Sequence, residues 1–198
     1  MSKLAKRVAL VTGGSRGIGA AIAKRLAADG ASVAITYAKD AAAASAVVKA
    51  IELSGGKAIA IRADAADAKA VKGAVEEAVA KFGRLDVLVN NAGTAIPKTF
   101  EDTTLEEMER VIDINIGGVF AATQAALKHM KDGGRIINIG SAVGERVQTP
   151  GLVPYSATKG AVKIFTQGLS REVGSRGDRK STRLNSSHEI PSRMPSSA

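Results

Sequence analysis

Tyr155 and Lys159 stand four residues apart just after Pro154, where the sequence opens a helix, so both side chains leave the same face of it. That geometry has a chemical use. A phenol with an ordinary pKa of about 10 is a poor acid or base at neutral pH, and an adjacent ammonium favours the phenolate. Ser141 lies fourteen residues before Tyr155. Taken alone, Tyr-x-x-x-Lys is also the spacing of an ordinary amphipathic surface pair. Far upstream, Thr12-Gly13-Gly14-Ser15-Arg16-Gly17-Ile18-Gly19 sets three glycines at G-x3-G-x-G spacing between a strand and a helix. Missing Cβ atoms let backbone approach a pyrophosphate there, and the following helix offers unpaired N–H groups and the positive end of its dipole. A tight structural turn would use the same glycines. No Gly-Lys-Ser/Thr follows, so this is not the phosphate loop of a nucleoside triphosphatase. A third cluster, Asn90-Asn91-Ala92-Gly93, reads equally as a turn or as a ligand loop.

A dinucleotide site that prefers NAD carries an acidic residue about 20 positions after the glycines, at the end of the second strand. Here that strand ends Thr36-Tyr37-Ala38 and is followed by Lys39. Arg16 and Lys39 can pair with a 2′-phosphate, which favours NADP(H). Asp40, one residue further on, keeps NAD(H) open.

The elements that must position these residues alternate. Short β-branched runs (Val8–Val11, Ser32–Tyr37, Lys57–Arg62, Asp86–Asn90, Arg135–Gly140) are separated by Ala-rich helical stretches (Ile18–Ala28, Ala41–Leu53, Ala66–Phe82, 104–130, and 153 to about 173). This order predicts an α/β fold with a doubly wound parallel sheet of Rossmann type. The fourth strand follows a crossover, so its carboxyl end should lie beside the glycine loop at the switch point of the sheet. Thr104 with Glu107 forms a capping-box pattern. His129, at a predicted helix C-terminus, reads as a helix-end cation.

In order and spacing together, the glycine loop, Asn-Asn-Ala-Gly, Ser141 and Tyr155-Ser-Ala-Thr-Lys159 resemble the short-chain dehydrogenase/reductase family, over about residues 6–177. The resemblance is greatest to bacterial 3-oxoacyl-carrier-protein-reductase-type members. It implies Tyr155 as general acid/base, Lys159 as the residue that lowers the tyrosine pKa and bonds the nicotinamide ribose, and Ser141 as the group that polarises the substrate oxygen. Asn115, a mid-helix asparagine that otherwise wants a reason, matches the member that completes the proton relay. The implied cofactor set is Gly13, Ser15, Arg16, Gly17, Ile18 and Gly19, Tyr37 and Lys39, Asp64 and Ala65, Asn90 and Gly93, with Tyr155 and Lys159. The implied reaction is hydride transfer between NADP(H) and a ketone or secondary alcohol, acyl-carrier-linked substrates included, in a homotetramer or dimer packed through the helices at 104–130 and 153–173. A dinucleotide-binding module without catalysis is the alternative.

Composition bounds the rest. The 198 residues carry Lys+Arg 28 against Asp+Glu 19, a net charge of +9, with no cysteine and 3% aromatics. There is no disulfide framework or thiolate metal site, and two histidines make no metal constellation. The aromatic content supplies no stacking platform for single-stranded nucleic acid, and no groove-reading motif accompanies the charge. No apolar run approaches a membrane span and no signal-peptide core follows Met1, so a cytoplasmic location is expected, with no membrane or nucleic-acid partner. Residues 1–177 are read as one NADP(H)-binding catalytic domain. After Gly177 the composition changes: 178–198 holds six serines and no period of 2 or 3.6, reads as disordered, and resembles the translation of a sequencing-library adapter. The resemblance implies two further strands, a Pro-Gly segment and a substrate-shaping stretch, none of which follows Gly177. We therefore expect strand five to be an open edge and this chain to be destabilised and nearly inactive; NADPH-dependent turnover at ordinary enzyme rates would overturn that.

Overall fold

The computed structural model describes residues 3–131 and 133–174, and the backbone of 181–186. Five parallel strands, β1 (Val8–Val11), β2 (Ser32–Tyr37), β3 (Lys57–Arg62), β4 (Val87–Asn90) and β5 (Arg135–Gly140), lie in the order β3-β2-β1-β4-β5. Alternate side chains leave opposite faces of a strand, and both faces are covered. Ala9, Val11, Val33, Ile35 and Val89 pack against α1 (Gly17–Ala28) and α2 (Ala41–Leu53). Leu10, Ala34, Leu88 and Ile136 pack against α3 (Ala68–Phe82), α5 (Gly118–His129) and α6 (Val153–Gly174). Burial on both sides explains why β1 and β4 are apolar almost throughout. Chain order reverses between β1 and β4, so the loops after these strands meet at one end of the sheet.

Helix starts follow local chemistry. Asp40 accepts from Ala43 N and caps α2, Asp67 accepts from Lys69 N and Ala70 N and caps α3, and Thr104 with Glu107 forms the capping box of α4 (Leu105–Ile112). Because Asp67 takes the cap, α3 starts at Ala68 and not at Ala66. Only α1 among these four begins without a side-chain cap, at Arg16.

Two expectations change. The single helix expected over 104–130 is divided: α4 passes through one wide π turn, Asp113–Gly117, into α5. Its Asn115 is bonded to both backbone groups of Thr94, and Gly118 stands so close to Ala65 that a Cβ would overlap the Ala65 carbonyl oxygen. Such single-turn π bulges occur where helix register must be reset. The edge of β5, expected open, is paired: residues Ser181–Ser186 form β6, parallel to it, from Arg135↔Ser181 to Gly140↔Ser186. The other residues of the 178–198 segment read as disordered, His188 among them, lie outside those described. An edge strand presents unpaired N–H and C=O groups to any backbone of matching direction, whatever its side-chain pattern.

At the opposite end of the sheet Asp86 is buried and accepts four hydrogen bonds: Arg7 Nη1 at 2.7 Å and Arg84 Nη2 at 2.6 Å on Oδ1, Val8 N at 2.9 Å and Arg84 Nε at 2.8 Å on Oδ2. Burial pushes its carboxyl up, but the Arg84 and Arg7 guanidinium groups outweigh that and hold it below the usual carboxylate range. Asp86→Ala strands these donors and should cost on the order of 2–4 kcal/mol in urea unfolding. A depressed folded-state value means the contribution is complete at neutral pH and is lost as acidification passes through it. The urea midpoints of wild type and Asp86→Asn should therefore converge on acidification.

Candidate active site

Thr12 knots the two loops at the switch point. Its Oγ1 accepts from Asn91 N and Ala92 N, both at 3.0 Å, while Asn91 Nδ2 donates to Thr12 O at 2.9 Å and Gly13 O at 3.1 Å. Thr36, near the end of β2, adds a third loop by accepting from Gly13 N at 3.1 Å. The glycines then do two separate things. Gly17 has φ +53°, a left-handed conformation that strains other residues, and Gly19 has no room for a Cβ because the Gly13 carbonyl oxygen and Asn91 Nδ2 occupy that place.

Above these loops opens a cleft of about 630 Å³. Of the residues expected to hold a cofactor, Gly13, Ser15, Arg16, Gly17, Ile18, Gly19, Tyr37, Lys39, Asp64, Ala65 and Gly93 all line it. It also takes in Asp40, which kept NAD(H) open, and Thr36, Asn91 and Arg110, none of them in the implied cofactor set. Arg110 Nη2 reaches across from α4 to both oxygens of Asp64, at 3.0 and 2.8 Å. Burial pushes the Asp64 carboxyl up, and the bonds from Arg110 and Ala66 N reverse the effect and leave it below its ordinary value. Tyr155 and Lys159 are not among the lining residues, and neither is Asn90. Its side chain is buried under the cleft floor, with Nδ2 donating to Thr123 Oγ1 at 3.1 Å and Asn138 Oδ1 at 2.8 Å, so the side chain belongs to the core; a period-2 strand places its last residue inward regardless of polarity.

The second group gathers beside the cleft. Ser141 ends β5 in extended backbone, Tyr155 sits in the first turn of α6, and Lys159 follows one turn later; all three are buried. The Ser141 side chain stands near enough to the Tyr155 phenol to act against the effect of burial on it. Lys159 Nζ donates to Ile139 O at 2.8 Å and lies 5.7 Å from the Tyr155 ring centroid. Burial pushes the phenol above its ordinary value, with Ser141 opposing, and lowers the Lys159 ammonium to about 8. The expected downward pull of Lys159 on the phenol is thus not the controlling influence in this structure, where desolvation of the ring dominates. Asn115, 1% exposed, ties the group to the loop after β4: Nδ2 donates to Thr94 O and to Thr158 Oγ1, each at 2.9 Å, and Oδ1 accepts from Thr94 N at 2.8 Å. Thr158 Oγ1 in turn donates to Tyr155 O at 2.7 Å. Gly93 joins the two halves, since a Cβ there would stand 3.7 Å from Lys159 Nζ.

His129 ends α5 with Nε2 2.9 Å from Glu76 Oε2, a surface pair away from this site. Among the described residues no three His, Cys, Asp or Glu side chains are grouped to hold a metal ion, and no helix is long and apolar enough to cross a membrane.

A doubly wound parallel sheet with a glycine-lined cleft at its switch point is the architecture of a Rossmann-type dinucleotide-binding protein. Residues 7–181 match the short chain dehydrogenase family, and the chain belongs to that family of oxidoreductases. It is 52% identical over 176 residues to an uncharacterized oxidoreductase of Methylorubrum extorquens, covering 89% of this chain and 71% of the relative. To a 3-oxoacyl-[acyl-carrier-protein] reductase of Synechocystis it is 46% identical over 179 residues, covering 89% and 72%. A short chain dehydrogenase of Burkholderia cenocepacia, solved in complex with NADP, superposes with a TM-score of 0.87 at 52% identity, over 88% of this chain and 71% of that one.

Thr12→Val removes the acceptor of two loop amides while keeping shape. It should destabilise the chain by about 1–3 kcal/mol in chemical denaturation, with Thr12→Ser recovering most of the loss.

Proposed function

We propose that the chain binds NADP(H) in this cleft and serves hydride transfer between it and a ketone or secondary alcohol, with Tyr155 as the general acid/base. The reading rests chiefly on buried Ser141, Tyr155 and Lys159 gathered in one place, with the Lys159 ammonium next to Gly93, which lines the cleft. The fit to a dinucleotide is favoured by an uncapped α1 N-terminus, whose first-turn N–H groups are left for an anion, above a loop with no room for side chains. Arg16 and Lys39 line the same cleft and suit a 2′-phosphate. Asp40, the residue that kept NAD(H) open, is engaged in capping α2 through Ala43 N.

Bound nicotinamide supplies or accepts the hydride. The chain's part is positional and protonic. Ser141 holds the substrate oxygen against the phenol, and Tyr155 Oη gives a proton to that oxygen during reduction and takes it back during oxidation. Lys159 holds the ribose edge of the cofactor, while Asn115 keeps the loop after β4 fixed to α6. The similarity to 3-oxoacyl-carrier-protein reductases extends the proposal to acyl-carrier-linked ketones. Exposed Ile112, Phe120 and Ile164 on α4–α6 suit packing against further copies of the chain, and a cytoplasmic location completes the reading.

NADPH fluorescence on binding, paired with a carbonyl-reduction assay, tests it. Arg16→Ala and Lys39→Ala should each weaken NADPH binding about 10–100-fold, the worth of a charged hydrogen bond, and leave NADH binding little changed. Tyr155→Phe should bind NADPH and abolish reduction. NADPH binding with no turnover of any ketone by the unsubstituted chain favours the alternative, a dinucleotide-binding module; equal loss of both nucleotides in the Arg16 and Lys39 variants would refute the 2′-phosphate assignment.

A further inference from the structure

Beyond Ser141 the chain makes one 3-10 turn, Ala142–Gly144, and this turn is closed on itself. Gly144 N donates to Ser141 O, and Glu145 N and Arg146 N donate to Ala142 O, all at 3.0 Å, so Ser141 and Gly144 move together. Gly144 is pressed against α6 at the turn that carries Lys159. A Cβ on Gly144 would stand 2.8 Å from the Lys159 carbonyl carbon and 2.9 Å from Gly160 N, and a Cβ on Gly160 would stand 3.3 Å from the Gly144 carbonyl oxygen. Neither glycine has a positive φ, so what this place uses is the missing side chain and not backbone freedom. One residue on, Glu145 Oε1 accepts from Lys163 Nζ at 2.8 Å, a second fastening between the same turn and the same helix.

We propose that Gly144 and Gly160 are positioning residues of the acid–base site: their backbone-to-backbone contact seats the turn carrying Ser141 against the helix carrying Tyr155, and so sets the Ser141 hydroxyl on the phenol. The proposal rests on the pairing of Ser141 with Tyr155 in the proposed function. A contact of 2.8 Å is well inside the ~3.5 Å at which carbon atoms rest, so a methyl group at residue 144 must push turn and helix apart. Ser141, moving with the turn, would then draw away from the phenol, while Lys159, on the same helix as Tyr155, would stay with it.

The chain has two tyrosines and no tryptophan. In a Tyr37→Phe background the ultraviolet absorbance of the phenolate therefore titrates Tyr155 alone, without need of turnover. Ser141→Ala should raise the Tyr155 midpoint because the hydroxyl that acts against burial is gone. Gly144→Ala should raise it in the same direction, and Ser141→Ala with Gly144→Ala should raise it no further than Ser141→Ala does, since both act through one hydroxyl. Far-UV circular dichroism checks folding. If Gly144→Ala does not fold, Gly160→Ala, whose methyl group needs only a few tenths of an ångström of give, should show the same shift at smaller size and the same non-additivity. An unchanged midpoint in the folded glycine variants, or shifts that add to that of Ser141→Ala, overturns the proposal while Ser141→Ala still moves the midpoint. An unmoved midpoint in Ser141→Ala itself overturns the Ser141–Tyr155 reading and this proposal with it.

Discussion

One hydroxyl, that of Thr12, accepts the amides of Asn91 and Ala92, and the Asn91 amide returns two bonds to the carbonyls of Thr12 and Gly13. Parallel strands buried on both faces leave polar backbone only at their ends, so the loops after β1 and β4 must satisfy one another or open to water. By satisfying one another they hold a glycine turn in a shape with no internal room for side chains. The cleft, the free end of α1 and the placement of Arg16 all follow from that knot. A looser junction would leave the same residues without a common geometry.

The acid–base group depends on a second meeting of elements. Ser141 comes from the end of β5, Tyr155 and Lys159 from α6, and Asn115 from a π turn between α4 and α5. Each is held by bonds to backbone: Lys159 to Ile139 O, Asn115 to Thr94, and Thr158, which receives Asn115, to Tyr155 O. Burial is the common electrical condition. It lowers the Lys159 ammonium to about 8 and raises the Tyr155 phenol, so two groups whose free forms lie close together in proton affinity are set apart, the ammonium becoming the readier proton donor.

Much of this was legible from pattern. Strand and helix limits from Val8 to Leu53 followed from β-branched runs and glycine stops, and the capping box at Thr104 from its spacing. Eleven of the twelve residues read as the dinucleotide loops do line one cleft, because backbone-bound ligands impose glycines at fixed intervals. Less legible were contacts made by side chains with no motif of their own. Thr12 and Thr36 show only as polar residues ending apolar strands, a weak signal that buried strand ends need a partner. Arg110 gave no signal at all, since its partner Asp64 is 46 residues away.

By itself, then, the sequence determined the alternation of elements, the doubly wound parallel sheet and the residue types for a dinucleotide and a phenol, because these rest on local periodicity and on spacing within single turns. Tertiary structure alone decided three things. It turned the Asn90 side chain into the core, broke the helix at Asn115, and paired the edge of β5 with Ser181–Ser186. Burial and long-range pairing depend on what the rest of the chain brings alongside, and no local pattern encodes that.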